Sequence, residues 1–234
     1  MKLAAVIPSR AGSKRLINKN NKTIGGYSLV EWAIAAAKSI EHECSTFVIT
    51  DSDQTRNISE KYDVTVLERS ESLSTDNAST ESLIKHFILD RDFTDIVLLQ
   101  PTSPFRSSIE INRAVTSYQE MNLLSLAAVC KPWQPPKDLI VRGENGIFLS
   151  QLVPEKDLTS LDYFFDTGSL YISSSRRLLS GKRFVDDDTY LFEFGDLGNI
   201  DIDTKFQLKI AESLFKANFK ANNVFDALTK VTKI

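Results

Sequence analysis

Short apolar runs alternate with helical patterns through the first half of the chain, and this rhythm limits the available folds more than any other feature. Leu3-Ala4-Ala5-Val6-Ile7, closed by Pro8, reads as a strand covered on both faces. Residues 28–40 carry Leu29, Trp32, Ala33, Ala36 and Ala37 near helical spacing, and Phe47-Val48-Ile49-Thr50 is the next strand. A helix capped by Asp51 or Asp53 follows through Tyr62, and Val64-Thr65-Val66-Leu67 is a third strand. Residues 80–91 then set Leu83, Ile84, Phe87 and Ile88 on one stripe. A strand at Ile96-Val97-Leu98-Leu99, a helix over 108–121 and a strand at Leu126-Ala127-Ala128-Val129 complete the series. Strands joined by helices in this way predict a three-layer α/β/α domain with a mainly parallel sheet, Rossmann-like in architecture. Ligands of such sheets bind beyond the carboxyl ends of the strands.

The rhythm breaks after Cys130. Pro132, Pro135 and Pro136 remove donors and fix φ, so this stretch cannot continue as a helix or central strand. Ile140-Val141, the turn-like Gly143-Glu144-Asn145-Gly146 and Ile147-Phe148-Leu149 read as a β-hairpin. Residues 131–165 are therefore an insertion into one domain made of residues 1–130 and 166–234. The sheet pattern resumes at Ser169-Leu170-Tyr171-Ile172-Ser173. It ends with a strand at Ile200-Asp201-Ile202-Asp203, leading into a helix that carries Phe206, Ile210, Ala211 and Leu214.

Composition excludes several classes. No apolar run reaches the roughly 18 residues a membrane helix needs. Met1 to Pro8 runs straight into Arg10, Lys14 and Arg15, unlike a signal peptide, so a cytoplasmic protein is expected. Cys44, Cys130, His42 and His86 have neither metal-ligand nor disulfide-framework spacing, and both cysteines read as small buried hydrophobes. A net charge of −3 argues against a dedicated nucleic-acid binder. It leaves room for a small anion in a local basic pocket.

Pro8-Ser9-Arg10-Ala11-Gly12-Ser13-Lys14-Arg15-Leu16-Ile17-Asn18-Lys19-Asn20 supplies such a pocket. It follows the first strand with four cations, a glycine and small polar residues. Glycine permits close approach of backbone to phosphate, and Lys and Arg balance a triphosphate's charge. The loop is neither a P-loop nor a dinucleotide fingerprint, since both glycine patterns are missing.

The second chemical feature is Asp201-Ile202-Asp203. In a strand these carboxylates share a face, about 6.5–7 Å apart at Cα, with Ile200 and Ile202 on the other. They suit a hard cation completed by phosphate oxygens and water. Asp203 is alternatively a helix N-cap, or serves both purposes. Asp51-Ser52-Asp53 reads as a turn and cap, and Asp186-Asp187-Asp188 as a solvated loop.

The basic loop resembles the signature of the cytidylyltransferases that activate acidic sugars, and most closely the acylneuraminate cytidylyltransferase (CMP-sialic acid synthetase) family with its pseudaminic and legionaminic acid branches. Leu98-Leu99-Gln100-Pro101-Thr102-Ser103-Pro104-Phe105-Arg106 and Ile200-Asp201-Ile202-Asp203-Thr204 carry the resemblance further along the chain. It implies the nucleotide-diphospho-sugar transferase type of fold, with residues 131–165 as a dimerisation arm and a homodimer as the assembly. It implies that Arg10, Gly12, Ser13, Lys14, Lys19 and Asn20 surround the CTP phosphates and base edge, with a nucleotide role for Arg69, Ala78 and Thr80. Asp201 and Asp203 would hold Mg²⁺ (or Mn²⁺) and, with Arg10 and Lys19, form the catalytic set. Gln100, Lys137, Gly168 and Tyr171 would line the sugar cleft.

The implied reaction joins CTP to a nine-carbon 2-keto acid sugar and releases pyrophosphate. Alternatives are pseudaminic or legionaminic acid, an eight-carbon keto-deoxy sugar, or a non-catalytic nucleotide-binding protein. Neither a nucleic-acid nor a membrane partner is expected. The sugar-lining segment Phe165-Asp166-Thr167-Gly168-Ser169-Leu170-Tyr171 lacks the arginine common in sialic-acid enzymes and is more like the pseudaminic branch. Gln-Pro-Thr-Ser-Pro is more typical of the sialic and legionaminic branches. Ile17-Asn18 stands where the family often has proline.

Overall fold

β1 (Leu3–Ser9) is almost wholly buried, which places it inside the sheet and fixes the layout around it. The computed structural model describes residues 1–75, 78–142, 148–151, 163–217 and 228. After β1 come a short ribbon of β2 (Thr23–Ile24) and β3 (Tyr27–Ser28), α1 (Leu29–Lys38), β4 (Cys44–Thr50) and α2 (Asp53–Ser59). β5 (Thr65–Glu68), α3 (Glu71–Ser74), α4 (Thr80–Leu89), β6 (Asp95–Leu98), α5 (Ser108–Glu120) and β7 (Ser125–Cys130) continue the alternation. β8 (Ile140–Arg142) and β9 (Phe148–Gln151) form a separate antiparallel pair. β10 (Phe165–Ser174), α6 (Ser175–Leu179), β11 (Tyr190–Glu193) and α7 (Lys205–Lys216) follow.

The main sheet has seven strands in the order β11-β7-β10-β6-β1-β4-β5. β1 pairs in parallel with β4 and β6, β4 with β5, and β7 with β11; β10 runs antiparallel to both its neighbours. The sheet is thus mainly parallel, as the sequence predicts, with one reversed strand that the pattern of apolar runs does not reveal. From β1 the chain steps to β4 and β5, then returns to the other side of β1 as β6. That reversal opens a crevice beyond the carboxyl ends of β1 and β6, where open α/β sheets hold ligands. Because β10 is reversed, its amino end, at Phe165 and Asp166, comes to the same edge.

Alternation along β1 builds the two cores. Leu3, Ala5 and Ile7 pack with α1 and α5, while Ala4 and Val6 pack with α4 and α6 on the other face. A third cluster lies outside this sandwich. It joins Ile24, Leu29, Trp32 and Phe105 to Ile200, Ile202, Ala211 and Leu228, with Leu16 and Phe215 against it. Trp32 makes edge-to-face contacts with Phe105 at 5.5 Å and Phe215 at 6.0 Å, and its indole N–H donates to the Ile24 carbonyl at 3.2 Å.

Several expectations change. Ser52, not Asp51 or Asp53, caps α2 by accepting from the Thr55 amide. Thr204, not Asp203, caps α7, in a capping box with Gln207. Residues 200–203 are not a strand of the sheet: β11 is its last member, and one bond from the Ile202 amide to the Thr102 carbonyl (2.8 Å) ties that segment down. Its alternation survives, with Ile200 and Ile202 buried and both aspartates half-buried. Asp186, Asp187 and Asp188 are all exposed, as expected of a solvated loop, and Asp188 in addition pairs at 2.5 Å with Arg177, whose side chain is buried. Cys130 is buried in the core, Cys44 packs at its margin, and both thiols are free. The hairpin predicted over residues 140–149 is present as β8 and β9, while its turn, residues 143–147, lies outside the described residues. No helix among the described residues is long and apolar enough to cross a membrane.

The third cluster depends on Gly25. Its φ of 62° lies in the left-handed region, and an added Cβ would overlap the Phe215 ring. Gly25→Ala is expected to destabilise the protein by about 2 kcal/mol or more, from strained backbone plus displaced aromatic packing. Urea unfolding of the two proteins checks this.

Candidate active site

The crevice beyond β1 and β6 is a cavity of about 450 Å³. The basic loop enters it directly from the end of β1, and the loop's shape is set by its neighbours. The Ala11 amide donates to Asp51 at the end of β4 (2.7 Å), and Ser9 Oγ meets Thr55 Oγ1 at 3.4 Å. Asn18 adopts φ 53°, which asparagine tolerates and proline cannot, and this turn starts the short 3₁₀ helix Lys19–Asn21. Asn20 is buried and donates to Ser9 Oγ at 3.0 Å, locking the turn onto the strand end.

Arg10, Ser13, Lys14, Lys19, Asn20, Arg69, Ala78, Thr80, Gln100 and Asp203 all line the cavity, as do Arg15, Leu16 and Thr102. Residues from five separate stretches of chain are thereby brought together. Gly12 is not among the lining residues; it is exposed, with open space where a Cβ would stand. Arg69 is buried and its guanidinium Nε and Nη2 both donate to the Leu73 carbonyl, at 2.9 and 2.6 Å. Burial lowers its pKa, against the opposing charge of Asp51.

Asp203 faces the basic loop. It is paired with Lys19 Nζ and with Arg15 Nη2, each at 2.7 Å. Partial burial alone would raise its pKa, but the Lys19 hydrogen bond and the charges of Lys19 and Arg15 outweigh that and hold it below the usual value. Asp201 is the opposite case. Burial raises its pKa and the Asp203 charge adds to this, against a hydrogen bond from the Thr102 side chain and the charges of Lys19 and Arg106. One carboxylate is therefore held charged by two cations, while its neighbour carries a desolvation cost.

Sequence reasoning left Arg15 without a role and quoted Arg106 only as part of a motif. Arg106 is 2% exposed. Its Nε donates to the Ser169 carbonyl at 2.5 Å and its Nη2 to the Gln100 carbonyl, which ties β10 to the loop after β6. Burial pulls its pKa down to about 9, with Asp201 opposing. Arg106 Nη1 and Ser103 Oγ are buried side-chain atoms without a hydrogen-bond partner among the described residues. A motif shows that an arginine is there; only the fold shows that it is inside.

Gln100 lines the crevice, whereas Gly168 and Tyr171 are not among its lining residues and lie next to Gln100. A Cβ placed on Gly168 would lie 3.8 Å from both the Gln100 amide nitrogen and the Tyr171 hydroxyl. Lys137 falls in the 3₁₀ turn Pro136–Asp138, and its side chain lies outside the described part of the structure.

These features match a known family. The family model for cytidylyltransferases covers residues 4–133, more than half of the chain. The chain belongs to the cytidylyltransferase family. It is 31% identical over 214 residues to an N-acylneuraminate cytidylyltransferase of Escherichia coli, matching 90% of this chain and 51% of that protein. It is 28% identical over 211 residues to one from Streptococcus agalactiae, again over 51% of that protein. The chain thus spans about half the length of these two relatives. A CMP-N,N'-diacetyllegionaminic acid synthase of Legionella pneumophila is 28% identical over 232 residues, covering 94% of this chain and 99% of that one. Among solved structures, a CMP:2-keto-3-deoxy-manno-octonic acid synthetase complexed with CTP superimposes with a TM-score of 0.72 at 15% identity, over 93% of this chain and 99% of the other. A 4-diphosphocytidyl-2C-methyl-D-erythritol synthase of Anaerococcus prevotii gives 0.66 at 13% identity, over 92% and 96% of the two chains. These two structural matches share the α/β/α fold of this chain.

The Asp203 pairing gives a prediction with a definite sign. In metal-free buffer, Asp203→Asn is expected to tighten binding of inorganic triphosphate a few-fold, because it removes a negative charge from the cation-lined cavity and frees Lys19 and Arg15. Lys19→Met is expected to weaken it by about tenfold or more, through loss of a charge-assisted contact. Titration calorimetry with chelator present reads both.

Proposed function

We propose that this protein transfers a cytidylyl group from CTP to the anomeric C2 hydroxyl of a nine-carbon 2-keto acid sugar of the acylneuraminate type. The products are a CMP-sugar and pyrophosphate. One observation carries the reading: a cavity at the switch point of the sheet, lined by Arg10, Lys14, Arg15, Lys19 and Arg69 together with Asp203, which pairs with Lys19 and Arg15. Such a volume suits a nucleotide, and that charge layout suits a triphosphate.

The sugar hydroxyl attacks the α-phosphorus, the bond from that phosphorus to the bridging oxygen breaks, pyrophosphate departs with the bridging oxygen, and the hydroxyl proton is released to water. Little covalent chemistry falls to the protein, so positioning and charge neutralisation dominate. Arg10 and Lys19 neutralise charge on the departing pyrophosphate, and Ser13, Lys14 and Asn20 hold the loop around the phosphates. Arg69, Ala78 and Thr80 border the nucleoside, while Gln100, Gly168 and Tyr171 receive the sugar. Lys137 is assigned to the sugar's carboxylate. No residue is assigned as general base.

Asp201 and Asp203 offer the hard oxygen donors that Mg²⁺ or Mn²⁺ prefers, on alternate positions beside the cavity. No group of three or more metal-ligating side chains occurs among the described residues. A cation held by this pair needs phosphate oxygens and water to complete its shell, so its affinity depends on the nucleotide. When bound, the ion supplies further charge neutralisation at the phosphates. The insertion, residues 131–165, is proposed as a dimerisation arm, giving a cytoplasmic homodimer.

The test is a pyrophosphate-release assay with each of the four NTPs against sialic, pseudaminic, legionaminic and eight-carbon keto-acid sugars. Release is expected with CTP and a nine-carbon sugar, to vanish with chelator, and to fall about a hundredfold or more in Asp201→Ala. CTP binding without release on any sugar would identify a non-catalytic nucleotide binder instead.

A further inference from the structure

Beside Gln100, which lines the crevice, lies a charged group that the proposed mechanism does not use. β10 opens with Phe165 and Asp166, and its pairing with β7 shifts register between Asp166 and Tyr171. Within that irregularity Gly168 sits at φ 66°, a left-handed conformation natural to glycine. The bend returns Tyr171 to Asp166: the phenol donates to Asp166 Oδ1 at 2.8 Å, and the Gly168 amide donates to the same oxygen at 3.2 Å. Burial, reinforced by the Asp166 charge, raises the Tyr171 pKa, so the phenol keeps its proton and remains the donor.

The surroundings are rigid. Arg106, buried beneath, joins the carbonyls of Gln100 and Ser169 and fixes the two walls relative to each other. Tyr171 also packs against Phe184 at 5.7 Å. Asp166 itself is exposed. Both of its bonds fall on Oδ1, and the second carboxylate oxygen is the acceptor that this arrangement offers to a ligand.

From this geometry we propose that Asp166 is a specificity-determining residue of the sugar subsite, reading an N–H or O–H donor on the sugar. The proposal rests on the cytidylyl transfer inferred above. An ionised carboxylate accepts and never donates, and it repels another carboxylate. The acid group of the sugar therefore lies away from Asp166, and a hydroxyl or amide N–H of the ring or side chain meets it. A sugar without a donor at that position leaves a desolvated carboxylate oxygen unpaired, which is how a polar site rejects an analogue.

Asp166→Asn tests this with little change of shape. Tyr171 and Gly168 both donate to one oxygen, so asparagine keeps its carbonyl there and turns its NH₂ toward the sugar, replacing an acceptor by a donor. Steady-state kinetics of the full chain are measured with its best sugar and with single-position deoxy or deamino analogues. In Asp166→Asn the sugar KM is expected to rise about tenfold or more while the CTP KM stays within about twofold. One analogue is expected to be a poor substrate of the parent protein, and the variant to lose most of that discrimination. An unchanged sugar KM overturns the proposal, as does an equal rise in the KM for CTP. Absence of pyrophosphate release by the parent protein with every sugar overturns the activity on which it rests.

Discussion

The site depends on the apolar cluster beneath it. Leu16 from the basic loop, Phe105 from the loop after β6, and Ile200 and Ile202 flanking the aspartates pack around Trp32 and α7. These segments are far apart in sequence, and each lies outside the strands of the main sheet. Burying one face of each fixes the other face toward the cavity, so charge is placed by hydrophobic contact. The single backbone bond from Ile202 to Thr102 would be a weak tether on its own; alternation of buried isoleucine with half-buried aspartate gives it direction.

Electrostatics then act within that frame. Lys19 and Arg15 neutralise Asp203, while Asp201 remains half-buried beside the guanidinium of Arg106. A buried arginine bound mainly to carbonyls is costly to maintain. Its position between Gln100 and Ser169 gives a structural reason for it, because it couples the loop after β6 to β10. The reversed direction of β10 makes this coupling possible: had the strand run parallel, Asp166 and Gly168 would lie at the far edge of the sheet.

Most of the first half was legible in the sequence, because buried parallel strands are short unbroken apolar runs and their helices repeat every three to four residues. The expected strands and helices there differ from the observed ones by a few residues at their ends, while the short β2–β3 ribbon and α3 have no counterpart among the expected elements. Legibility failed where periodicity stops carrying information. β11 (Tyr190–Glu193) lies at the edge of the sheet with two exposed apolar side chains, and its pattern resembles that of a loop. The aspartate segment alternates like a strand yet pairs with none, since alternation reports two unlike environments and says nothing about a ladder. Caps went to Ser52 and Thr204 in place of the neighbouring aspartates, which were drawn into contacts with Ala11, Lys19 and Arg15.

By itself the sequence determined the class of fold, the cation-rich loop after the first strand and the paired carboxylates, because each is a local pattern with a local physical cause. Tertiary structure alone decided that the loop and the aspartates meet, that Asp203 rather than Asp201 bears the cations, and that Arg106 is inside. It alone decided that Asp166 shares an edge with Gln100. Burial and the direction of a strand depend on the whole chain, and no run of neighbouring residues encodes them.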